Sequence, residues 1–209
     1  MKKFKRLNKS TVLLISSITL LLVSLIFLAV SIYPSIEYRL KYKGKAVYPY
    51  ESTYVDNTND DKEVVKEDKK IPEINTLVIP TIGVDVKIVE GSGDWALNDG
   101  SWHRPGTGDP IQGGNFVLTG HRFGFSWMPS DIKKKSTFYN LDKVEIGDVL
   151  IVYWEGKEYD YKVNRIFSAA PDEVSIEDPT ESPQLMVYTC SLLGRNSDRL
   201  VLIATPVEQ

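Results

Sequence analysis

Val149-Leu150-Ile151-Val152-Tyr153-Trp154, then Glu155-Gly156, then Lys157-Glu158-Tyr159-Asp160-Tyr161-Lys162-Val163 is the stretch that decides the fold class of this 209-residue chain. Residues 149–154 are apolar, β-branched or aromatic throughout, which is strand composition. Glu155-Gly156 is a two-residue connection with a glycine free to take positive φ, a hairpin signal. In the second arm, residues 157–166, Tyr159, Tyr161 and Val163 alternate with Glu158, Asp160 and Lys162, so one face is buried and the other wet. Five further runs have the same character: 76–79 ending at Pro80, 84–89 after Gly83, 115–119 between Gly113-Gly114 and Gly120, 184–188, and 199–205. Helical signals are short, at 94–97 and 137–144. Many short strands punctuated by Gly and Pro predict a mostly β fold, a closed barrel or sandwich of about seven or eight strands with short helices.

That domain occupies residues 76–209, and what precedes it is different in kind. Residues 11–32 carry no charge, and 22 residues at helical rise span about 33 Å, close to the bilayer hydrocarbon thickness. A cleaved signal peptide is the competing reading, because Ala29-Val30-Ser31 is a small-x-small site, but the apolar run exceeds a signal core of about 7–15 residues. One uncleaved transmembrane helix is therefore expected. The tail 1–10 holds Lys2, Lys3, Lys5, Arg6 and Lys9 and no acid, which predicts a cytoplasmic N-terminus and a single-pass membrane protein with residues 33–209 outside. Residues 33–75 read as a polar linker with too few apolar groups to offset chain entropy. The alternative there is a lid made by Tyr48-Pro49-Tyr50 and Tyr54.

Charge narrows the partners. The chain has a net charge of −3, yet the tail contributes five positive charges and residues 33–45 a net three, which leaves −11 on residues 46–209. Nucleic acid is excluded as a partner, since phosphate contacts need clustered Lys and Arg.

Cys190 is the chain's one cysteine, so it cannot form an internal disulfide and serves through packing or reactivity. It ends the strand-like run 184–188 extended by Thr189. His121 follows the strand 115–119 and Gly120, and Arg199 opens the strand 199–205. A thiolate is the strong nucleophile, yet only about 3% of an unperturbed thiol is ionised at pH 7, and a neighbouring imidazolium or guanidinium raises that fraction. Each residue alone has a plainer reading: a small buried hydrophobe, a surface histidine, an edge-strand arginine. Their joint position at strand ends favours catalysis. Arg195 competes with Arg199 but sits between Gly194 and Asn196 in a loop, and His103 competes with His121 but reads as a solvent-facing or aromatic-stacking loop residue before Pro105.

Several strings together resemble the sortase family, the cysteine transpeptidases of bacterial surfaces. Pro105-Gly106-Thr107 followed by residues 113–122 resembles the family's histidine strand, Phe138-Tyr139-Asn140-Leu141-Asp142 leading to Gly147-Asp148 its central turn, and Thr189-Cys190 with Arg199-Leu200-Val201 its nucleophile and arginine strands. Met186 and Val187 stand where the family often has Thr and Leu, and no Asp-Pro-aromatic lid is present, so the subclass stays open. The resemblance implies a closed sortase-type β-barrel in which Cys190 attacks the Thr–Gly carbonyl of an LPXTG-like sorting signal to form a thioacyl enzyme, His121 is the acid and base, and Arg199 binds the oxyanion. It implies exported proteins with a C-terminal sorting signal as substrates. The amine acceptor would be a peptidoglycan precursor or a pilin lysine. Thr189, Ile176, Leu185 and Val187 are candidate substrate contacts. No cofactor is implied, although some members bind calcium in the connection that here holds Asp172, Glu173, Glu177, Asp178 and Glu181. The alternatives are a surface cysteine peptidase that hydrolyses the acyl-enzyme and an inactive peptide-binding module. A papain-type fold is excluded, because there Cys precedes His in the chain.

Overall fold

Eight strands close into a barrel in the computed structural model, which describes residues 8–44, 71–124, 135–191 and 196–207. The strands are β1 (Thr76–Ile79), β2 (Val84–Val89), β3 (Ser101–His103), β4 (Asn115–Thr119), β5 (Val149–Trp154), β6 (Lys157–Ala169), β7 (Gln184–Cys190) and β8 (Arg199–Pro206), in the order β1-β2-β3-β4-β7-β8-β6-β5 around the barrel. The seven expected strands are all present. β3 is the added one, a three-residue strand too short to show alternation. Of the expected short helices, residues 94–97 lie in a 3-10 helix at Asp94–Asn98, and within 137–144 residues 137–140 are turn and Leu141–Lys143 is a 3-10 helix.

The β5–β6 hairpin forms as the sequence predicts, with Trp154 opposite Lys157. Both connecting residues take positive φ, 49° at Glu155 and 72° at Gly156, the pairing whose twist matches that of the flanking strands. Glu155 is the only non-glycine residue with positive φ among those described. Its N–H is held by Asn75 Oδ1 at 2.9 Å, which offsets part of that strain.

Alternation decides what fills the barrel. Leu77 and Ile79, Phe116 and Leu118, Leu150 and Val152, Leu185 and Val187, and Leu202 and Ala204 each point inward from their strand into one cluster. A second cluster of Val117, Ala169, Met186, Val201 and Ile203 covers the outer face of the same sheet region, with Ile176 and Tyr188 packed on it. β7 and β8 are thus apolar on both faces, which is why they read as continuous hydrophobic runs.

Two of the eight pairings are parallel, β2 with β3 and β4 with β7. The consequence is functional. β4 and β7 end at the same rim, β8 begins there because it runs antiparallel to β7, and β1 points to that rim too.

The helix α1 spans Lys9–Lys41, and it is long and apolar enough to cross a membrane by length and composition. Four of its hydroxyls are satisfied within the helix: Ser16 and Ser17 donate to the Leu13 carbonyl, Thr19 to Ile15 and Ser31 to Phe27, which lowers the cost of polar atoms in an apolar setting. The helix does not stop at residue 32, where the linker was expected to begin. It continues through Pro34, because residues 33–42 find partners on the barrel, described below. The lid alternative at Tyr48-Pro49-Tyr50 and Tyr54 lies outside the described residues, as does Arg195.

Candidate active site

The three residues singled out from sequence meet at one barrel rim. Cys190 ends β7 and stands directly opposite Arg199, the first residue of β8. In the parallel β4–β7 pair, Thr119 is opposite Tyr188, and continuing that register two residues past the end of β4 sets His121 level with Cys190. All three line one open groove of about 640 Å³.

Side-chain latches hold this register beyond the end of β4. Thr119 Oγ1 donates to the Tyr188 carbonyl at 3.1 Å, and Thr189 Oγ1 donates to the Gly120 carbonyl at 2.8 Å. Thr189 is wholly buried. It therefore clamps the residue before His121 to the residue before Cys190 and is not among the residues lining the groove. Gly120 is required here by packing: a Cβ would meet the Phe138 ring at 2.8 Å.

Period-two alternation separates the other candidate substrate contacts. Leu185 and Val187 are fully buried in the barrel interior, which corrects their assignment as peptide contacts. The odd-numbered residues of β7 face inward, and Tyr188 and Cys190 line the groove. Ile176 also lines it. His103, expected in a loop, lies in β3 with its ring buried. Its Nδ1 is 2.7 Å from Glu90 Oε1, its Nε2 2.9 Å from the Gly108 carbonyl, and it stacks edge-on with Phe116 and Trp154 at 5.0 and 5.6 Å. It is absent from the groove.

Cys190 is half-buried, so the thiol is reachable yet shielded. Arg199 is aimed by two backbone carbonyls, Ser197 at 2.7 Å from Nη1 and Pro171 at 3.5 Å from Nη2. The connection between β7 and β8 is pinned at both ends by Ser191 N–H to the Asp198 carbonyl at 2.8 Å and by Ser191 Oγ to Ser197 Oγ at 2.7 Å. Burial holds the His121 imidazole below its ordinary pKa, and the Asp94 carboxylate opposes that shift. The imidazolium is thereby made scarcer but a better acid.

One wall of the groove carries a polar network centred on Glu177, whose partners Arg104 and Tyr188 the sequence did not single out. Both Glu177 carboxylate oxygens accept from Arg104 Nε at 3.0 Å, and Tyr188 donates its hydroxyl to Glu177 Oε1 at 2.6 Å. Burial, followed by this carboxylate, pushes the Tyr188 pKa well up, so it stays a neutral donor. The Arg104 guanidinium lies 4.3 Å from the Trp102 ring centroid. Alternation along β7 from Cys190 would have placed Tyr188 on the groove, but nothing local marks Arg104. The acidic connection is occupied in these ways: Glu177 by Arg104 and Tyr188, and Glu173 by the Ala170 N–H at 3.2 Å. Among the described residues no group of three or more His, Cys, Asp or Glu side chains is placed to hold a metal ion.

A half-buried thiol and an imidazole in one groove, with a guanidinium across the strand from the thiol, are groups suited to acyl transfer: a nucleophile, a proton carrier and a cationic donor. Comparison with known proteins agrees with the fold. The Sortase domain family model matches residues 77–207. Sortase A of Bacillus anthracis is 24% identical over 160 residues, which covers 73% of this chain and 71% of that protein. Among solved structures, a Clostridium perfringens Sortase D5 transpeptidase is similar with a TM-score of 0.55 and 26% identity, over 66% of this chain and 83% of that one. Sortase C-1 from Actinomyces oris is similar with a TM-score of 0.56 and 30% identity, over 66% of this chain and 77% of that one. With the family model spanning well over half of the sequence and the same barrel recurring in the solved relatives, this chain belongs to the sortase family.

Proposed function

We propose that this chain is a membrane-anchored cysteine transpeptidase that cleaves an LPXTG-like sorting signal and transfers the new acyl end to an amine. The observation that carries the reading is the rim geometry: Cys190 stands opposite Arg199 in the β7–β8 ladder, and His121, just past the end of β4, lines the same groove. Cys190 Sγ as thiolate attacks the scissile carbonyl carbon and the C–N bond breaks. The departing amine takes the proton carried by His121, leaving a thioester on Cys190. The incoming amine loses a proton to His121 as it attacks that thioester, and the thiolate is regenerated. Arg199 donates to the oxyanion of each tetrahedral intermediate, a role suited to a permanently charged fork whose orientation is already fixed. This chemistry needs no cofactor.

The substrates under this reading are exported proteins with a C-terminal sorting signal. The acceptor is a peptidoglycan-precursor amine or a pilin lysine. α1 would hold the enzyme in the cell membrane with its basic N-terminus in the cytoplasm and the barrel outside. The test is to incubate the full chain in detergent micelles with an LPXTG-like peptide and read the intact mass. A thioester on the wild type, absent in Cys190→Ala, supports the assignment. An acyl adduct on another residue, or turnover, persisting in Cys190→Ala refutes it. Added amines then separate the outcomes, since an amide product marks transpeptidation and acid product alone marks a hydrolase.

A further inference from the structure

The outer end of α1 packs on the segment that carries the back of His121. Pro34, Ser35, Tyr38 and Tyr42 are partly buried at helical spacing and so share one face of the helix. Tyr38 packs on the main core cluster. The Tyr42 ring lies against Gly83, where any Cβ would collide with it. Ser35 Oγ donates to the Tyr139 hydroxyl at 3.3 Å, and Asn140 Nδ2 donates to the Pro34 carbonyl at 3.3 Å.

The other side of residues 136–142 faces the catalytic rim. Phe138 donates its N–H to the His121 carbonyl at 3.1 Å, and its fully buried ring fills the space left by the missing Cβ of Gly120. Arg122 Nη2 donates to Asp142 Oδ1 at 2.6 Å, and the Gly124 N–H to Ser136 Oγ at 3.0 Å. Tyr139 touches both sides, since its ring centroid is 6.0 Å from that of Phe123. Because β4 ends at Thr119, residues 121–124 take much of their support from this segment, and the segment takes part of its own from α1.

We propose that the outer turns of α1 are a positioning element of the active site: they brace residues 136–142 and through them hold His121 in place beside Cys190. The inference rests on His121 being the acid–base group of the function proposed above. It makes the anchor part of the catalytic unit, coupled to the site by direct packing. Tyr38 is the positioning residue that tests it. A small displacement of a reacting group costs up to about 10²-fold in rate, so partial release should cost about 10-fold.

The experiment uses the full chain in detergent micelles, with an LPXTG-like peptide and a small amine, and compares wild type, Tyr38→Ala, Tyr38→Phe and Ser35→Ala. In its folded form Tyr38→Ala should lower kcat about 10-fold at unchanged KM, and Tyr38→Phe should restore the rate because it keeps the ring. Ser35→Ala, which lies outside the barrel and leaves its core intact, should lower kcat by a few-fold, and it decides the matter if Tyr38→Ala does not fold. Wild-type kcat in the folded alanine variants overturns the brace while leaving the proposed function standing, as does an equal loss in Tyr38→Phe. A wild-type chain that never forms the thioester overturns both.

Discussion

Thr189→Val is the substitution that separates a latch from a substrate contact. Valine matches threonine in shape, so packing at this wholly buried position is preserved, but the donor to the Gly120 carbonyl, at 2.8 Å in the native protein, is lost. Depriving a buried carbonyl of its donor costs about 1–3 kcal/mol. For a chain of this size each kcal/mol moves the midpoint by about 2–4 °C, so Tm should fall by roughly 2–12 °C. The kinetic effect follows from position. Gly120 precedes His121 and Thr189 precedes Cys190, so the bond links the neighbours of the two groups proposed to react, and a shift approaching 1 Å costs up to about 10²-fold in rate. Calorimetry of the full chain in micelles, together with kcat and KM for peptide transfer, should therefore show a lower Tm and a lower kcat at nearly constant KM. Thr189→Ser keeps the donor and should recover most of the rate. An unchanged Tm with a raised KM would refute the latch and return Thr189 to the role of a peptide contact.

His121→Ala should cost about 10² to 10⁴ in kcat and Arg199→Ala about 10² to 10³, whereas His103→Ala should lower Tm and leave kcat of the folded protein near normal; a larger kinetic loss at His103 would exchange the two histidines. Because burial lowers the His121 pKa, the unfolded chain binds this proton more readily, so the stability that depends on a neutral imidazole is present above about 6.5 and is lost as pH falls through the lowered native value. Denaturant midpoints measured from pH 7.5 to 5 should show that loss in the native protein and less of it in His121→Ala. Asp94→Asn removes the carboxylate that opposes the shift, so the rate at neutral pH should drop and recover in part on acidification; a rate unaffected at every pH would remove Asp94 from the site's electrostatics. A C-terminally tagged chain should fractionate with membranes and lose its tag to external protease on intact cells, and a protected tag would reverse the proposed orientation.

The barrel was legible because its strands announce themselves twice, by alternation and by the Gly and Pro that bound them. β6 shows both, with Tyr159, Tyr161 and Val163 alternating after Gly156. β3 announces itself in neither way: three residues give no period, and the strand exists because Trp102 and His103 pair with Thr119 and Leu118 of β4, a tertiary partner far along the chain. The outer end of α1 was hidden for the same reason. A proline and a mixed run of charges read as linker, and only packing of Tyr38 on the barrel core and contacts to Tyr139 and Asn140 make those residues helical.

The site divides along the same physical line. Cys190, His121 and Arg199 each sit at a strand end that can be read locally, and chain order alone cannot say that three strand ends share a rim. The parallel β4–β7 pair supplies that fact, because it brings two C-terminal ends together where an antiparallel pair would separate them. Orientation within a strand is then a matter of parity. Val187 and Thr189 have the opposite parity to Cys190 and are buried, while Tyr188 has the parity of Cys190 and lines the groove. Arg104 obeys no such rule: it follows β3 in the chain, and its pairing with Glu177 brings together residues 73 positions apart. A contact of that kind is specified by the closed barrel as a whole, since the rim fixes where the chain leaves β3 and where the wall before β7 must cross it.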